Sequence, residues 1–300
     1  MASTLDSMPR DARIAIIRIR SLGDCVLTTP ALQLLNQHRP DLTLGVVVED
    51  RFRGIFEGHP AVGEILTPAL PAVRRFRPEM VVNLHGGTRS TLMTLASGAR
   101  IRAGFAHYTG IQAYNLRIPR AQQILGEERP VHTAEHLASA MFYLGVPRTE
   151  IPRASLHATG PSREPGAYAV MHPFASAADK AWPSSRFVAV ARNLGQPVVI
   201  LAGSHDDITN FAQFRVYQSA SLETVKRLLQ GAALFIGNDS GPAHMAAAFG
   251  LPVVVLFGSS NSITWAPWKT QSRVLQSAEG LTAIPVDECL KAADELKVRV

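Results

Sequence analysis

Short unbroken apolar runs recur along the chain, and between them lie stretches of helical spacing. The pattern predicts strands alternating with helices. Arg13–Arg20 (R-I-A-I-I-R-I-R) reads as a first strand. Cys25–His38 reads as a helix with Val26, Leu27, Ala31, Leu34 and Leu35 as its apolar positions and a kink at Pro30. Leu42–Val48 is a second strand, Arg51–Phe56 a short helix and Glu64–Thr67 a short strand. Met80–Leu84 is a buried strand, Thr88–Ser97 a helix, Arg100–Gly104 a strand and His132–Leu144 a helix. Such alternation implies a mainly parallel sheet covered on both faces.

Gly145–Gly166 carries Pro147, Pro152, Pro161 and Pro165 and reads as a linker. Alternation then restarts with strands at Ala167–His172, Pro197–Ala202 and Phe214–Tyr217 and helices at Ser184–Leu194 and Leu222–Leu229. The most informative stretch is Leu234–Gly258. Leu234–Ile236 is a strand that Gly237, Asn238 and Asp239 break. A helix follows, capped by Ser240 or Gly241, with Pro242 in its first turn. Gly250 ends that helix, and Val253–Phe257 is the next buried strand. Pro285–Lys297 is a final helix. The reading is two α/β units: residues 1–155, residues 156–285, and a C-terminal helix at 286–300.

The composition suits this. Hydrophobic residues make up 46% and charged residues 18%, enough for a packed core. No run of 18 uncharged apolar residues occurs, and the first residues lack the pattern of a signal peptide, so a cytoplasmic location is expected. Two cysteines are too few for a disulfide framework or a zinc cage. The net charge of +6 is unevenly made: residues 1–150 hold 17 Arg, no Lys and 13 acidic residues. Guanidinium groups suit phosphate and carboxylate, so an anionic partner at a membrane surface and an ordinary arginine-rich surface are both open readings. No concentrated basic run or aromatic-studded basic strand is present, and no nucleic acid is expected as partner.

Three places carry candidate chemistry. Ser240 and Gly241 present free backbone N–H groups at the positive end of a helix, a site for phosphate. His244 lies one turn on, on the side of Ser240, and Asp239 precedes them. A plain helix cap would use the same residues. Asp24 follows the turn Ser21-Leu22-Gly23 at the carboxyl edge of the first strand, where open α/β sheets bind ligands, though a carboxylate there is also a common cap. Lys180, the first Lys in the chain, sits on the loop after the strand ending at His172 and could neutralise a phosphate. His132, Glu135 and His136 match H-x-x-E-H, a zinc hydrolase signature that also fits the polar start of an amphipathic helix. Missing are G-x-G-x-x-G after the first strand, a P-loop, G-x-S-x-G and an Asp-x-Asp pair.

Three motifs in order resemble glycosyltransferase family 9, the ADP-heptose:lipopolysaccharide heptosyltransferases. They are R-I-R-S-L-G-D-C-V-L-T-T-P-A-L at 18–32, H-P-F-A-S-A-A-D-K-A-W-P at 172–183 and G-N-D-S-G-P-A-H-M-A-A-A-F-G-L-P at 237–252. Supporting stretches are V-V-N-L-H-G-G-T-R-S at 81–90, H-T-A-E-H-L at 132–137 and L-A-G-S-H-D-D at 201–207. The resemblance implies a GT-B fold: two Rossmann-like domains facing each other across a cleft, with the final helix crossing back to the first. It implies an inverting, metal-independent transferase without cofactor, moving a heptose-like sugar from ADP-heptose to a lipid-linked, anionic glycan acceptor such as a lipopolysaccharide core. Peripheral association with the inner membrane surface would follow.

The resemblance also implies roles. Asp24 is the general base and Lys180 contacts phosphate and sugar. Asp239 binds sugar hydroxyls, and Ser240, Gly241 and His244 form the diphosphate turn. Asp206 lies on the ribose, and Ser176 joins the donor set. Arg18, Arg20 and Arg89 face the acceptor. It explains His132 without zinc. A non-catalytic nucleotide-sugar-binding protein of the same fold is the alternative. Two departures stand out: Asp206–Leu222 is short, and Ser259-Ser260-Asn261-Ser262 replaces a Thr-Asp-Pro-like turn.

Overall fold

The computed structural model describes residues 3–161 and 167–297. The tail of the predicted linker, 162–166, and the end of the last predicted helix, 298–300, lie outside the described residues. The chain divides into two units, Met1–Ser155 and Leu156–Val300.

In the first unit the elements run β1 (Arg13–Ile17), α1 (Leu22–His38), β2 (Thr43–Val47), β3 (Glu64–Leu66), α2 (Leu70–Phe76), β4 (Met80–Asn83), α3 (Thr88–Ala96), β5 (Ile101–Phe105), β6 (Leu116–Ile118), α4 (Ala121–Leu125) and α5 (Thr133–Leu144). The predicted helix at Arg51–Phe56 is a 3-10 turn over Asp50–Ile55. All six strands are parallel, in the order β3-β2-β1-β4-β5-β6. Chain direction across the sheet reverses between β1 and β4, where Ile17 pairs with Asn83. In such sheets ligands bind outside the carboxyl ends of the strands at that point. Helix α1 runs unbroken through Pro30. The Val26 carbonyl, which a Pro30 N–H would have met, instead accepts from the Thr29 hydroxyl at 2.8 Å.

The second unit repeats the plan with β7 (Ala169–His172), α6 (Ser184–Asn193), β8 (Val198–Ala202), β9 (Arg215–Gln218), α7 (Leu222–Gln230), β10 (Leu234–Asn238), α8 (Gly241–Ala248), β11 (Val253–Phe257), α9 (Ser262–Trp265), β12 (Ser272–Gln276) and α10 (Val286–Lys297). Its strands are also parallel, ordered β12-β11-β10-β7-β8-β9, so the reversal lies between β10 and β7. The core gathers Met171, Trp182, Phe187, Ile200, Phe211, Ile236 and Leu256.

One expectation is corrected here. Strand β10 continues through Gly237 and Asn238. Asn238 is buried because its side chain is fully used: it accepts from the Trp182 N–H at 3.0 Å and donates to the Pro173 carbonyl at 2.9 Å. Helix α10 packs within the second unit. Its apolar face, Cys289, Ala292, Ala293 and Leu296, joins the second core, and its contacts are with α6 and strands β10 to β12. Among the described residues no helix is long and apolar enough to cross a membrane.

Candidate functional site

In each unit most candidate residues collect at the carboxyl ends of the strands flanking the reversal, while Asp206 follows the next strand, β8. In the first unit the chain leaves β1 through Arg18 and turns at Ser21 into α1, whose first turn carries Asp24. Asp24 Oδ2 accepts from the Ser21 N–H at 3.3 Å and from its hydroxyl at 2.8 Å, while Oδ1 accepts from the Arg18 guanidinium. Asp24 therefore closes the helix start and stands at the mouth of the sheet together. Arg18 is buried; it also donates to the Leu84 carbonyl, just past β4. The resemblance gives Arg18 an acceptor role; its side chain is 8% exposed and engaged by the Leu84 carbonyl and Asp24.

Tyr108 donates to that same Leu84 carbonyl at 3.3 Å, and burial pushes its phenol up to about 12. His85, on the loop after β4, is held below the ordinary imidazole value, first by burial and then by the nearby Arg18 charge. His136 stacks on Phe105 with ring centres 4.0 Å apart, and burial brings it down to about 4. The Asp24 mouth is thus lined by rings held neutral, with the Arg18 guanidinium beside the carboxylate. Sequence reasoning missed Tyr108 and His136 as members; His85 had appeared only inside a quoted motif. Arg20 is exposed. Arg89, on the first turn of α3, is also exposed; it donates to the Pro68 carbonyl at 2.8 Å and lies 3.6 Å from Glu49.

The zinc reading is corrected by the work these groups already do. His132 caps α5, its Nδ1 accepting from the Ala134 N–H at 3.1 Å. Glu135 accepts from the His132 N–H at 2.9 Å and pairs with Arg129 at 2.7 Å. His136 lies against Phe105 and His107. Among the described residues no cluster of three metal-ligating side chains occurs.

In the second unit Ser240 is the N-cap of α8, with Pro242 in the first turn. Its hydroxyl is enclosed yet finds no hydrogen-bond partner among the described residues. A buried hydroxyl without a partner costs about 1–3 kcal/mol, which makes it a candidate to meet a ligand oxygen. His244 is buried one turn along, its ring centre 6.2 Å from that of Trp265 on α9. Asp239 leaves the end of β10, its N–H donating to the Leu256 carbonyl at 3.0 Å. Its carboxylate enters no ion pair among the described residues.

Across the reversal, β7 ends at His172, which burial brings down to about 4 and so keeps neutral. The loop beyond it carries Ser176, which is exposed, and Lys180, half-buried and in no ion pair among the described residues. The loop is pinned where Ser259 donates to Asp179 at 2.5 Å, and Gly258 lies so close to the Asp179 carbonyl that a Cβ there would collide with it. Asp206 is tied back by its own turn: Oδ2 accepts from the Gly203 N–H at 2.6 Å and its carbonyl from Gln218 at 3.0 Å. The short segment after it forms a 3-10 turn, Thr209–Phe211, in place of a full helix. In the unusual Ser-rich turn, Asn261 caps α9, accepting from Ile263 at 2.9 Å.

Comparison with known proteins matches residues 71–292 to the model of glycosyltransferase family 9 (heptosyltransferase). Lipopolysaccharide heptosyltransferase 3 of Escherichia coli is 22% identical over 93% of this chain and 97% of its own. Lipopolysaccharide heptosyltransferase 1 of Pseudomonas aeruginosa is 26% identical over 83% of this chain and 79% of its own. The structure of the family 9 glycosyltransferase from Veillonella parvula superposes with a TM-score of 0.86 at 21% identity, covering 98% of this chain and 99% of that one. The E. coli heptosyltransferase WaaC with ADP gives 0.78 at 20% identity, covering 94% and 99%.

Proposed function

The chain belongs to glycosyltransferase family 9 and is a glycosyltransferase of the GT-B fold, and from that premise we propose that it moves a heptose from ADP-heptose to a lipopolysaccharide-type acceptor with inversion. The observation that carries the donor half is the Ser240 hydroxyl, enclosed and without a partner at the start of α8. Backbone N–H groups and the helix dipole make that end an anion site, and a diphosphate supplies the oxygens the hydroxyl lacks. In this reading Asp239 meets sugar hydroxyls and His244 a phosphate oxygen. The ADP and lipopolysaccharide parts of the reading rest on what the relatives are named for.

The proposed step is one in-line displacement. The acceptor oxygen forms a bond to the anomeric carbon as the carbon–oxygen bond to the diphosphate breaks. The acceptor proton goes to the Asp24 carboxylate, and ADP leaves with the bonding pair. Lys180 and the α8 start stabilise the charge that builds on the leaving diphosphate, using groups already in place.

Thermal stabilisation by ADP, UDP, GDP and dTDP, each with Mg²⁺ and with EDTA, tests the donor. ADP should raise the melting temperature most, equally in both buffers, since a ligand of the folded state stabilises it in proportion to the logarithm of its concentration. Transfer from ADP-heptose to a heptose-deficient lipopolysaccharide core, followed by mass spectrometry, tests the reaction. A larger shift with another nucleotide would replace the donor. ADP binding without transfer would return the chain to a non-catalytic binder.

A further inference from the structure

The parallel strands of the second unit deliver their following loops to one edge of the sheet. In sheet order the groups along that edge are Asp206 after β8, Lys180 after β7 and Ser240 after β10. With a nucleotide sugar whose ribose lies at Asp206 and whose diphosphate lies at Lys180 and Ser240, the transferred sugar extends towards the next strand, β11. Strands lie about 4.8 Å apart, so β8 to β11 spans about 14 Å, room for the three parts end to end. The backbone of Asp239 is bonded on the β11 side, its N–H donating to the Leu256 carbonyl at 3.0 Å.

The turn after β11 is Ser259-Ser260-Asn261-Ser262, and three of its four side chains are engaged within the protein. Ser259 donates to Asp179, the neighbour of Lys180, at 2.5 Å. Asn261 accepts from the N–H groups of Ile263 at 2.9 Å and Thr264 at 3.4 Å. Ser262 donates at 2.9 Å to Gln276, which ends β12 and itself donates to the carbonyls of Gly258 at 3.2 Å and Ser260 at 3.4 Å. The turn is thus tied to the Lys180 loop on one side and to β12 on the other. Helix α9, which follows it, brings Trp265 to 6.2 Å from His244 of α8, ring centre to ring centre. Only the fourth side chain is left over: the Ser260 hydroxyl is enclosed and has no hydrogen-bond partner among the described residues. Enclosed hydroxyls are normally satisfied, and a turn bonded this fully has no slack with which to satisfy this one by itself.

We propose that the Ser260 hydroxyl pairs with a hydroxyl of the transferred sugar and sets the selectivity of the protein among nucleotide sugars. A phosphate fits this place poorly. Helix α9 is four residues long, and Asn261 already takes the N–H groups of Ile263 and Thr264 that an anion would need. A neutral hydroxyl, which both donates and accepts, matches the serine that is left. The proposal rests on a nucleotide-sugar donor in the second unit.

The test is calorimetric titration of the full chain, parent and Ser260→Ala, with ADP and with ADP-heptose, in the absence of acceptor. In Ser260→Ala the ADP affinity should stay within about twofold of parent, while ADP-heptose should bind about fivefold to tenfold more weakly. The melting temperature of the free variant should stay within about 1 °C, since the hydroxyl it loses is bonded to nothing in the free protein. A panel of ADP-heptose analogues, each lacking one sugar hydroxyl, closes the cycle. One of them should bind the parent as weakly as ADP-heptose binds Ser260→Ala, and the variant should show no further loss with that analogue. Ser260→Ala that binds ADP-heptose like the parent overturns the proposal while the donor reading stands. So does a variant that weakens ADP and ADP-heptose equally, or one in which every missing hydroxyl costs what it costs the parent. A parent that binds neither ligand removes the donor reading, and the proposal with it.

Discussion

Arg18 and Asp24 form an ion pair in which only 8% of the Arg18 side chain but 21% of the Asp24 side chain is exposed. The cation is sealed and the carboxylate faces out. Arg18 also donates to the Leu84 carbonyl, so the guanidinium links the ends of β1 and β4 and sets the direction of Asp24.

Asp24→Asn should therefore keep the cap, since an amide oxygen still accepts from Ser21, while transfer falls by at least about a thousandfold. ADP affinity, which the proposed function assigns to the second unit, should stay within about twofold. Arg18→Lys keeps the charge but not the two-pronged reach. It should lower kcat about tenfold and leave the acceptor KM nearly unchanged. A change confined to that KM would restore Arg18 to the acceptor.

Ser240→Ala separates a ligand site from a cap. The hydroxyl makes no hydrogen bond among the described residues, so its removal should leave the melting temperature of the free protein within about 1 °C of parent, or raise it. An ordinary serine cap lost to alanine costs about 1 kcal/mol. ADP dissociation, measured by calorimetry, should weaken about fivefold to tenfold. A destabilised free protein with unchanged ADP affinity would make Ser240 a cap and nothing more.

The two α/β units, and nearly every strand that lines a core, were legible because apolar runs have one use in a parallel sheet. Short edge elements were not. Strand β6 (L-R-I) and helix α4 are three and five residues long, and β12 is only partly buried. None carries a period that local pattern can resolve. Asn238 was misread for a different reason. Polar side chains usually end a strand, but this one is satisfied by two backbone groups from the loop after β7, a partnership only the fold creates. For Arg18 the residue type points to an anionic ligand, and its bonds to Leu84 and Asp24 are visible only in the fold. Tyr108, on the loop after β5, reaches the Asp24 mouth without any motif to announce it, and His136 of α5 had been read only within a zinc signature and a supporting stretch.

Acid should weaken the fold through His136 and His172. Both are held near 4 by burial, against about 6.5 when exposed. Above pH 6.5 they are neutral in either state and contribute no slope. As pH falls from 6.5 towards 4, the unfolded chain binds their protons and the folded chain does not, so stability is lost in that window. Each histidine contributes at most about 1.4 kcal/mol per pH unit there. Urea unfolding at pH 7.0 and 5.0 should show the loss, and His136→Leu and His172→Gln should each make it shallower. A parent and variants that lose equal stability between the two pH values would place these imidazoles in open solvent.

Lys226 on α7 is 0% exposed. Its Nζ donates to the His157 carbonyl at 2.6 Å and pairs with Glu223 at 2.9 Å. Glu223 in turn accepts from the Thr159 N–H at 2.6 Å and its hydroxyl at 2.7 Å. One turn of α7 thus holds the strandless segment at the start of the second unit. Lys226→Met keeps the stem and removes the charge, leaving Glu223 short of its closest cation and the His157 carbonyl without its donor. Breaking one side of a buried pair costs about 3–5 kcal/mol. Calorimetry should show a melting transition lowered by about 6–15 °C, and limited proteolysis should cut residues 157–161 sooner. Adding Glu223→Gln should recover part of the loss, since the remaining unpaired charge goes with it. A single variant that melts within 2 °C of parent and resists protease as well would show that the segment is held by its apolar contacts alone.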